Sequence, residues 1–331
     1  MAGRRITAKR VGAIDMPAMS PSPINRSMNA REWSMLLLLA GIWGCSFYFV
    51  AVALWELPPL TIVALRVLIA ALALHVVIRL MGIHLPMTRR AWTSFAIMAV
   101  INNVIPFTLL TWGQAYVASG VASILNATTP IFTVLIAHVA TTDEKLTVNR
   151  AIGTGLGLIG VIVLIGGTAL GQMSLHLAGE LAILGAAVAY GSSSVFARRF
   201  SAIGVPPLAS AAGLLTVSSA MMVPAMLVVD QPWLRPIPGL AVVLAVLGSA
   251  LIATAVAYLL YFRIVATAGA TNLMLVTFLM PVTAISLGVL VLGEDIAVRH
   301  IAGMALIACG LAFIDGRLLR RLRRAPLKPA E

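Results

Sequence analysis

The chain has 331 residues, of which 60% are hydrophobic and only 10% charged, with a mean hydropathy of +1.02. A water-soluble domain of this length carries roughly 25% charged residues, so the composition argues against a soluble enzyme or scaffold. The net charge of +12 does not point to nucleic acid either, because the basic residues follow the segments between apolar runs instead of clustering on one polar face.

Residues 1–32 are rich in Arg, Pro and Ser and poor in acids, which reads as a disordered cytoplasmic tail and not a cleavable leader. Ten apolar stretches follow, at 34–55, 59–81, 91–112, 118–140, 151–170, 177–197, 206–229, 239–262, 268–292 and 300–316. Each is long enough to cross a hydrocarbon core of about 30 Å. The connections are short, so the expected organisation is a tail (1–32), a first five-span unit (33–170), a second (171–316) and a basic tail (317–331). The expected fold class is all-α integral membrane, with ten transmembrane helices.

Taken in chain order, the first span contains Trp43-Gly44-Cys45-Ser46 and ends before Pro58-Pro59-Leu60, and the second holds Arg66. Asn102, Asn103 and Pro106 lie in the third. Asn126, Thr129 and Pro130 lie in the fourth, and the run Gly153, Gly157, Gly160, Gly166, Gly167 is in the fifth. The sixth carries Glu180 and Tyr190-Gly191-Ser192-Ser193. Pro206-Pro207-Leu208 opens the seventh, and Thr254, Tyr258 and Tyr261 lie in the eighth. The ninth has Asn272, Thr277 and Pro281, and the tenth has Gly303 and Gly310. Spans six to ten restate spans one to five at offsets of 147–151 residues: Trp43-Gly44 by Tyr190-Gly191, the two Pro-Pro-Leu turns, Gly120 by Gly269, Pro130 by Pro281, Asp143-Glu144 by Glu294-Asp295, and Gly153 and Gly160 by Gly303 and Gly310. Five spans is an odd number, so the second unit enters the membrane from the opposite side. That inverted repeat is the architecture of many secondary transporters.

Orientation follows from the charges. With the amino terminus inside, twenty of the twenty-three basic residues fall on the inner side; Arg235 and Arg299 are outside and Arg66 is within a span. The positive-inside rule therefore places both termini in the cytoplasm. The two cysteines, Cys45 and Cys309, lie in apolar spans and offer no framework of external disulfides.

These segments resemble the EamA type of the drug/metabolite transporter superfamily. The resemblance spans about 34–316 and rests on the segment around Trp43, the Pro-Pro-Leu turns, the stretch Gly120 to Pro130 and the stretch Gly269 to Asp295. It implies ten helices in two repeats and carriage of amino acids or other metabolites, often outward, across a bacterial-type inner membrane. Bacterial exporters of threonine or aromatic amino acids are the most similar type. One departure stands out: the expected Gly-Glu pair after the fourth span is Asp143-Glu144 here, and the Gly is kept only at Gly293-Glu294.

Polar groups within a bilayer are costly unless they face protein, water or solute. The candidate solute-binding residues are Trp43, Asn102, Asn103, Asn126, Thr129, Tyr190, Tyr258, Thr277 and Arg66, and Pro106, Pro130 and Pro281 are candidate kinks or hinges. For each Asn, Thr and Tyr the alternative is a plain interhelix bond. For Arg66 the functional readings are attraction of the carboxylate of an anionic or zwitterionic solute, or a pair with Glu56 or Glu180, and the alternative is snorkelling to the outer surface. Glu180 and Asp315 sit near span ends, where water is expected to reach them. The scarcity of mid-depth carboxylates suggests facilitated diffusion or weak proton coupling. The glycines of the fifth span suit packing within one chain, with a dimer contact as the rival. No zinc motif, paired-Asp motif or P-loop is evident, so an enzyme, a resident cofactor or metal, and a nucleic-acid partner are not expected. The partners expected are the lipid bilayer and a small solute, a neutral or aromatic amino acid or a related metabolite suited to an uncharged polar-aromatic lining, the chain acting as a monomer or homodimer.

Overall fold

A computed structural model of the protein describes residues 28–142, 144–166, 174–201 and 204–315. The tails expected at 1–32 and 317–331 lie outside these residues, apart from the segment from Met28 that leads into the first helix. The described chain is all-helical: α1 (Ala30–Ala53), α2 (Pro59–Leu80), α3 (Arg89–Gln114), α4 (Ser119–Ala140), α5 (Val148–Ile165), α6 (Leu175–Ala197), α7 (Pro207–Leu234), α8 (Leu240–Ala268), α9 (Val276–Leu292) and α10 (Val298–Asp315). Among the described residues nine of these are at least 18 residues long and apolar enough to span a membrane. The remaining one, α9, has 17 residues, because the segment expected to run unbroken from 268 turns at 274–275, after a short helix Ala270–Leu273. Helix α4 breaks in the same way at 127–128.

Local chemistry sets the ends. Asn29 caps α1 in a reciprocal box with Glu32, both bonds 2.9 Å. The repeated Pro-Pro-Leu has a direct reading: Pro58 and Pro206 are extended, and Pro59 and Pro207 occupy the first helical position, where a missing N–H costs nothing. Gly293 ends α9 in the left-handed region at φ 67°. Leu37, Leu38, Leu72, Val76, Ile162 and Leu290 point outward and exposed. A continuous apolar exterior of this kind is covered by lipid.

The packing itself has the symmetry read from the sequence. Helix α1 lies against α8 and α9, and α6 lies against α3 and α4; α2 meets α8 as α7 meets α3; α2 pairs with α7, and α5 with α10. Exchanging each helix for its counterpart in the other half leaves this set unchanged. The protein is therefore an all-α integral membrane fold of ten helices in two inverted five-helix repeats.

The repeated glycines mark where these pairs close. A Cβ on Gly44 would lie 2.7 Å from the Met280 carbonyl oxygen of α9, and one on Gly191 would lie 2.9 Å from the Thr133 nitrogen of α4. In the α5–α10 pair a Cβ on Gly160 would lie 2.8 Å from the Gly303 carbonyl oxygen, and one on Gly310 would lie 2.5 Å from that of Gly153. The small-residue face of the fifth span is thus consumed inside the chain, as helix backbones in direct contact.

Candidate functional site

Near mid-membrane the helical hydrogen-bond ladder loosens at equivalent places in the two halves. Helix α3 is a π-helix over Val100–Val104, and α8 is one over Gly248–Val256. Such wide turns free backbone groups and re-aim side chains, and they recur at functional sites. In α3 the wide turn leads into Pro106, which has no N–H to give to the preceding turn. The turn presents Asn102 and Asn103 to the second repeat, while Thr254 on α8 faces back.

The result is a polar knot across the repeat interface. Asn102 Nδ2 donates to the Tyr258 hydroxyl and to Asn103 Oδ1, each at 3.2 Å, and its Oδ1 accepts from Ser193 of α6 at 2.9 Å. Asn103 is fully buried and donates from Nδ2 to Ser218 of α7 at 3.0 Å, with the Tyr258 hydroxyl 3.4 Å from its Oδ1. One side chain pair of the first half thereby binds three helices of the second.

Arg66 of α2 forms the other side of this centre. It is 6% exposed. Its Nε donates to Thr254 Oγ1 at 2.9 Å, and that hydroxyl donates to the Ser249 carbonyl at 2.8 Å across the π-turn. The guanidinium lies 4.3 Å from the centroid of the Phe107 ring, a cation–π arrangement. Phe107 in turn meets the Tyr190 ring edge-on at 6.5 Å. Of the readings the sequence left for Arg66, snorkelling and a pair with Glu56 or Glu180 do not hold. The guanidinium is turned inward to α8, so it does not snorkel. Glu56 accepts from the Gly239 N–H at 2.7 Å, and Glu180 faces His176 at 3.4 Å, so neither carboxylate meets Arg66.

The other sequence candidates are spread around this centre. Trp43 is half-buried on α1, with its ring 6.1 Å from that of Tyr261. Asn126 sits at the break in α4, its Oδ1 buried without a donor among the described residues. Thr129 and Thr277 do not join the knot. Their hydroxyls donate to the carbonyls of Asn126 and Met274, both at 2.7 Å, and so satisfy oxygens freed where α4 and α9 break. Pro130 stands at the start of the second half of α4, whereas Pro281 lies within the continuous second half of α9.

One expectation is corrected. Glu180 was placed within reach of water, but it is completely buried. The outer turns of α6 pack on α3 so closely that a Cβ on Gly179 would lie 3.0 Å from the Gly113 carbonyl oxygen, and this packing buries the carboxylate one residue on. Three participants were not anticipated: Phe107, Ser218, and Glu294 in the role described next. Ser218 had a signal, as a hydroxyl in an otherwise apolar stretch of α7; Phe107 had none beyond its place next to Pro106.

The two faces of the membrane domain differ. On the face that carries Arg235 and Arg299, Glu294 beyond α9 accepts from the backbone N–H groups of Ser119 and Gly120 at 2.7 and 3.0 Å. A carboxylate is thus held by the positive end of α4. Residues 119–125 are all buried there. In the equivalent stretch on the basic face, 268–274, Ala268, Asn272 and Leu273 are buried and Met274 is 44% exposed. The Glu294 face is closed at the start of α4, and the basic face differs from it at Met274. A cavity of about 350 Å³ lies at the rim of the closed face, lined by Leu57, Pro58, Thr61, Pro232 and Trp233. None of Arg66, Asn102, Asn103 and Tyr258 lines it, although Leu65 does.

Comparisons with known proteins agree with this geometry. The model of the EamA-like transporter family matches residues 31–166 and, a second time, 177–315. The chain is similar to the uncharacterized transporter YoaV of Bacillus subtilis, 28% identical over 82% of this chain and 91% of that protein. It is also similar to a protein of Escherichia coli named a probable amino-acid metabolite efflux pump, 24% identical over 86% of this chain and 94% of that protein. A solved structure with 20% identity superposes with a TM-score of 0.61 over 88% of this chain and 97% of that one, which shows the shared fold.

Proposed function

Because the chain belongs to the EamA-like transporter family, and is therefore a membrane transporter of small solutes, we propose that it carries amino acids or related organic metabolites by alternating access, outward across a bacterial-type inner membrane. In this reading both termini are cytoplasmic and the basic face is the inner one, as the charge distribution supports. The organisation into a tail, two five-helix units and a second tail is part of the same proposal.

The observation that carries the mechanism is the polar knot between α3 and α6, α7 and α8. Its members come from both repeats, and Asn102 and Asn103 sit on the wide turn of α3. Rocking of one repeat against the other must therefore remake these bonds, and a solute that replaces them drives the exchange. The lining assigned to the solute is Trp43, Asn102, Asn103, Asn126, Tyr190, Tyr258 and Arg66, whereas Thr129 and Thr277, first candidates for the solute, are assigned to the helix breaks. Pro106, Pro130 and Pro281 serve as the bends about which the halves of α3, α4 and α9 reorient. The efflux direction and amino-acid-related class draw support from the name of the Escherichia coli relative. The structure as described, closed on the Glu294 face, corresponds in this scheme to the state that loads from inside.

The test is flux in proteoliposomes loaded with a mixed pool of amino acids and common organic acids. Saturable, selective movement of a few members without chemical change supports a carrier. Rapid, unsaturable flux would make it a channel, and conversion of the solute would make it an enzyme. A solute set confined to drug-like compounds would replace the metabolite reading.

A further inference from the structure

We propose that the solute is a carboxylate anion with an apolar or aromatic body, held through Arg66 in preference to zwitterionic amino acids. The proposal rests on the carrier reading above and narrows its substrate class.

Arg66 is more than nine-tenths buried, yet most of its bonding capacity is unused. A guanidinium has five N–H donors in a fixed fork. Only Nε has an acceptor, Thr254 Oγ1 at 2.9 Å; the terminal nitrogens have none among the described residues. The Phe107 face at 4.3 Å attracts the charge but accepts no hydrogen bond in the plane of the fork. The bond at Nε and the ring beneath fix the plane, so the two terminal nitrogens are presented edge-on. That is the geometry a carboxylate accepts bidentately.

The charge balance then discriminates among carboxylates. Glu32 is committed to the cap of α1, Glu56 to Gly239 N–H and Asp230 to Thr61, while Glu180 lies 3.4 Å from His176. Glu294 holds the start of α4, while Glu144, Asp295 and Asp315 lie in loops or at a helix end. No carboxylate described in the structure reaches the centre. The site therefore carries a net positive charge in a low-dielectric environment, where buried charges are normally paired. A monoanion neutralises it. A zwitterion brings a second cation to a place with no acid to receive it. Around Arg66 the rings of Phe107, Tyr190 and Tyr258 favour an apolar or aromatic body. Amino-acid-derived acids that lack the ammonium group fit these requirements.

The experiment uses the purified full chain and three matched probes: 3-phenyllactate (anion), L-phenylalanine (zwitterion) and L-phenylalaninamide (cation), at equal pH and ionic strength, with acetate and benzoate as further carboxylates. Binding is read from ligand-dependent thermal unfolding and transport from counterflow in proteoliposomes. Carboxylate anions should bind at least about 10-fold, and up to about 100-fold, more tightly than phenylalanine. Arg66→Met should abolish the response to the anions, and Arg66→Lys should retain part of it with the planar fork lost. If Arg66→Met does not fold, Arg66→Lys and Thr254→Val carry the test, each expected to weaken anion binding selectively. Equal binding of phenyllactate and phenylalanine, a wild-type protein indifferent to every carboxylate, or variants that bind as wild type would each overturn the proposal. Absence of saturable flux for any solute of a broad pool would instead defeat the carrier reading, while the unfolding measurement still reports whether Arg66 receives an anion.

Discussion

Replacing Glu294 should unlock the closed face. Its carboxylate accepts two backbone N–H groups at the start of α4, at 2.7 and 3.0 Å, and its Oε2 sits where a Cβ on Gly288 would fall. Glu294→Gln keeps the shape. It leaves one amide oxygen to accept a neutral bond and turns an NH₂ group toward the other donor. A bond to a charged group contributes about 1.5–3 kcal/mol and a neutral one about 0.5–1.5. The lost attraction between the charge and the end of α4 adds about 0.3–1 kcal/mol. Because these bonds are only partly buried, water replaces part of what is lost, and the closed state should weaken by about 1.5–3 kcal/mol, a shift of roughly 10- to 150-fold in the closed-to-open ratio. Ser119 is suited to report this, because it is 1% exposed and its hydroxyl makes no bond among the described residues. In a background with Cys45 and Cys309 replaced, Ser119→Cys should react slowly with a membrane-impermeant thiol reagent added outside. The same position should react at least ten times faster when Glu294→Gln is added. Equal rates in the two proteins, with both folded, would show that Glu294 does not hold this face shut.

Three further outcomes follow from the packing and the knot. Gly160→Ala should cost about 1–3 kcal/mol, seen as a lowered unfolding temperature in detergent, because its Cβ would meet the Gly303 carbonyl at 2.8 Å; an unchanged temperature would mean that α5 and α10 separate freely. Tyr258→Phe removes the hydroxyl that joins Asn102 and Asn103 and should weaken solute interaction by about 0.5–1.5 kcal/mol, read as a KM change of roughly 2- to 10-fold with helicity preserved. Thr277→Val should alter stability by no more than about 0.5 kcal/mol and leave flux near wild type, since its hydroxyl serves only the Met274 carbonyl of its own helix; a large loss of flux would place Thr277 in contact with solute.

The number of helices and the inverted relation of the two halves were legible in the sequence, but the breaks that shorten the ninth span and divide the fourth were not. Apolar length against bilayer thickness is a one-dimensional property, and an odd number of spans per repeat dictates the inversion. The repeated Pro-Pro-Leu and the paired glycines were legible as landmarks, and their reasons emerged as first-turn prolines and backbone contacts. Residue type also singled out Asn102, Asn103, Tyr258 and Arg66, because polar groups are expensive in a bilayer wherever they occur.

The partners of these groups belonged to the tertiary structure alone. Arg66 and Thr254 are 188 residues apart, and Asn103 and Ser218 are 115 apart, so no local pattern joins them. The wide turns in α3 and α8 depend on packing between helices as much as on the residues within them. Glu180 shows the limit of reading depth from position, since burial by α3 overrode its place near a helix end. The difference between the two faces was also invisible in the sequence. Two repeats of one fold admit both arrangements of the gate, and which one is adopted depends on the balance of long-range contacts such as Glu294 to Ser119 and Gly120. The sequence by itself thus determined a membrane-embedded inverted repeat through composition and period. Only the folded chain decided that Arg66 stands among aromatic rings without a carboxylate, because charge compensation depends on distance in space.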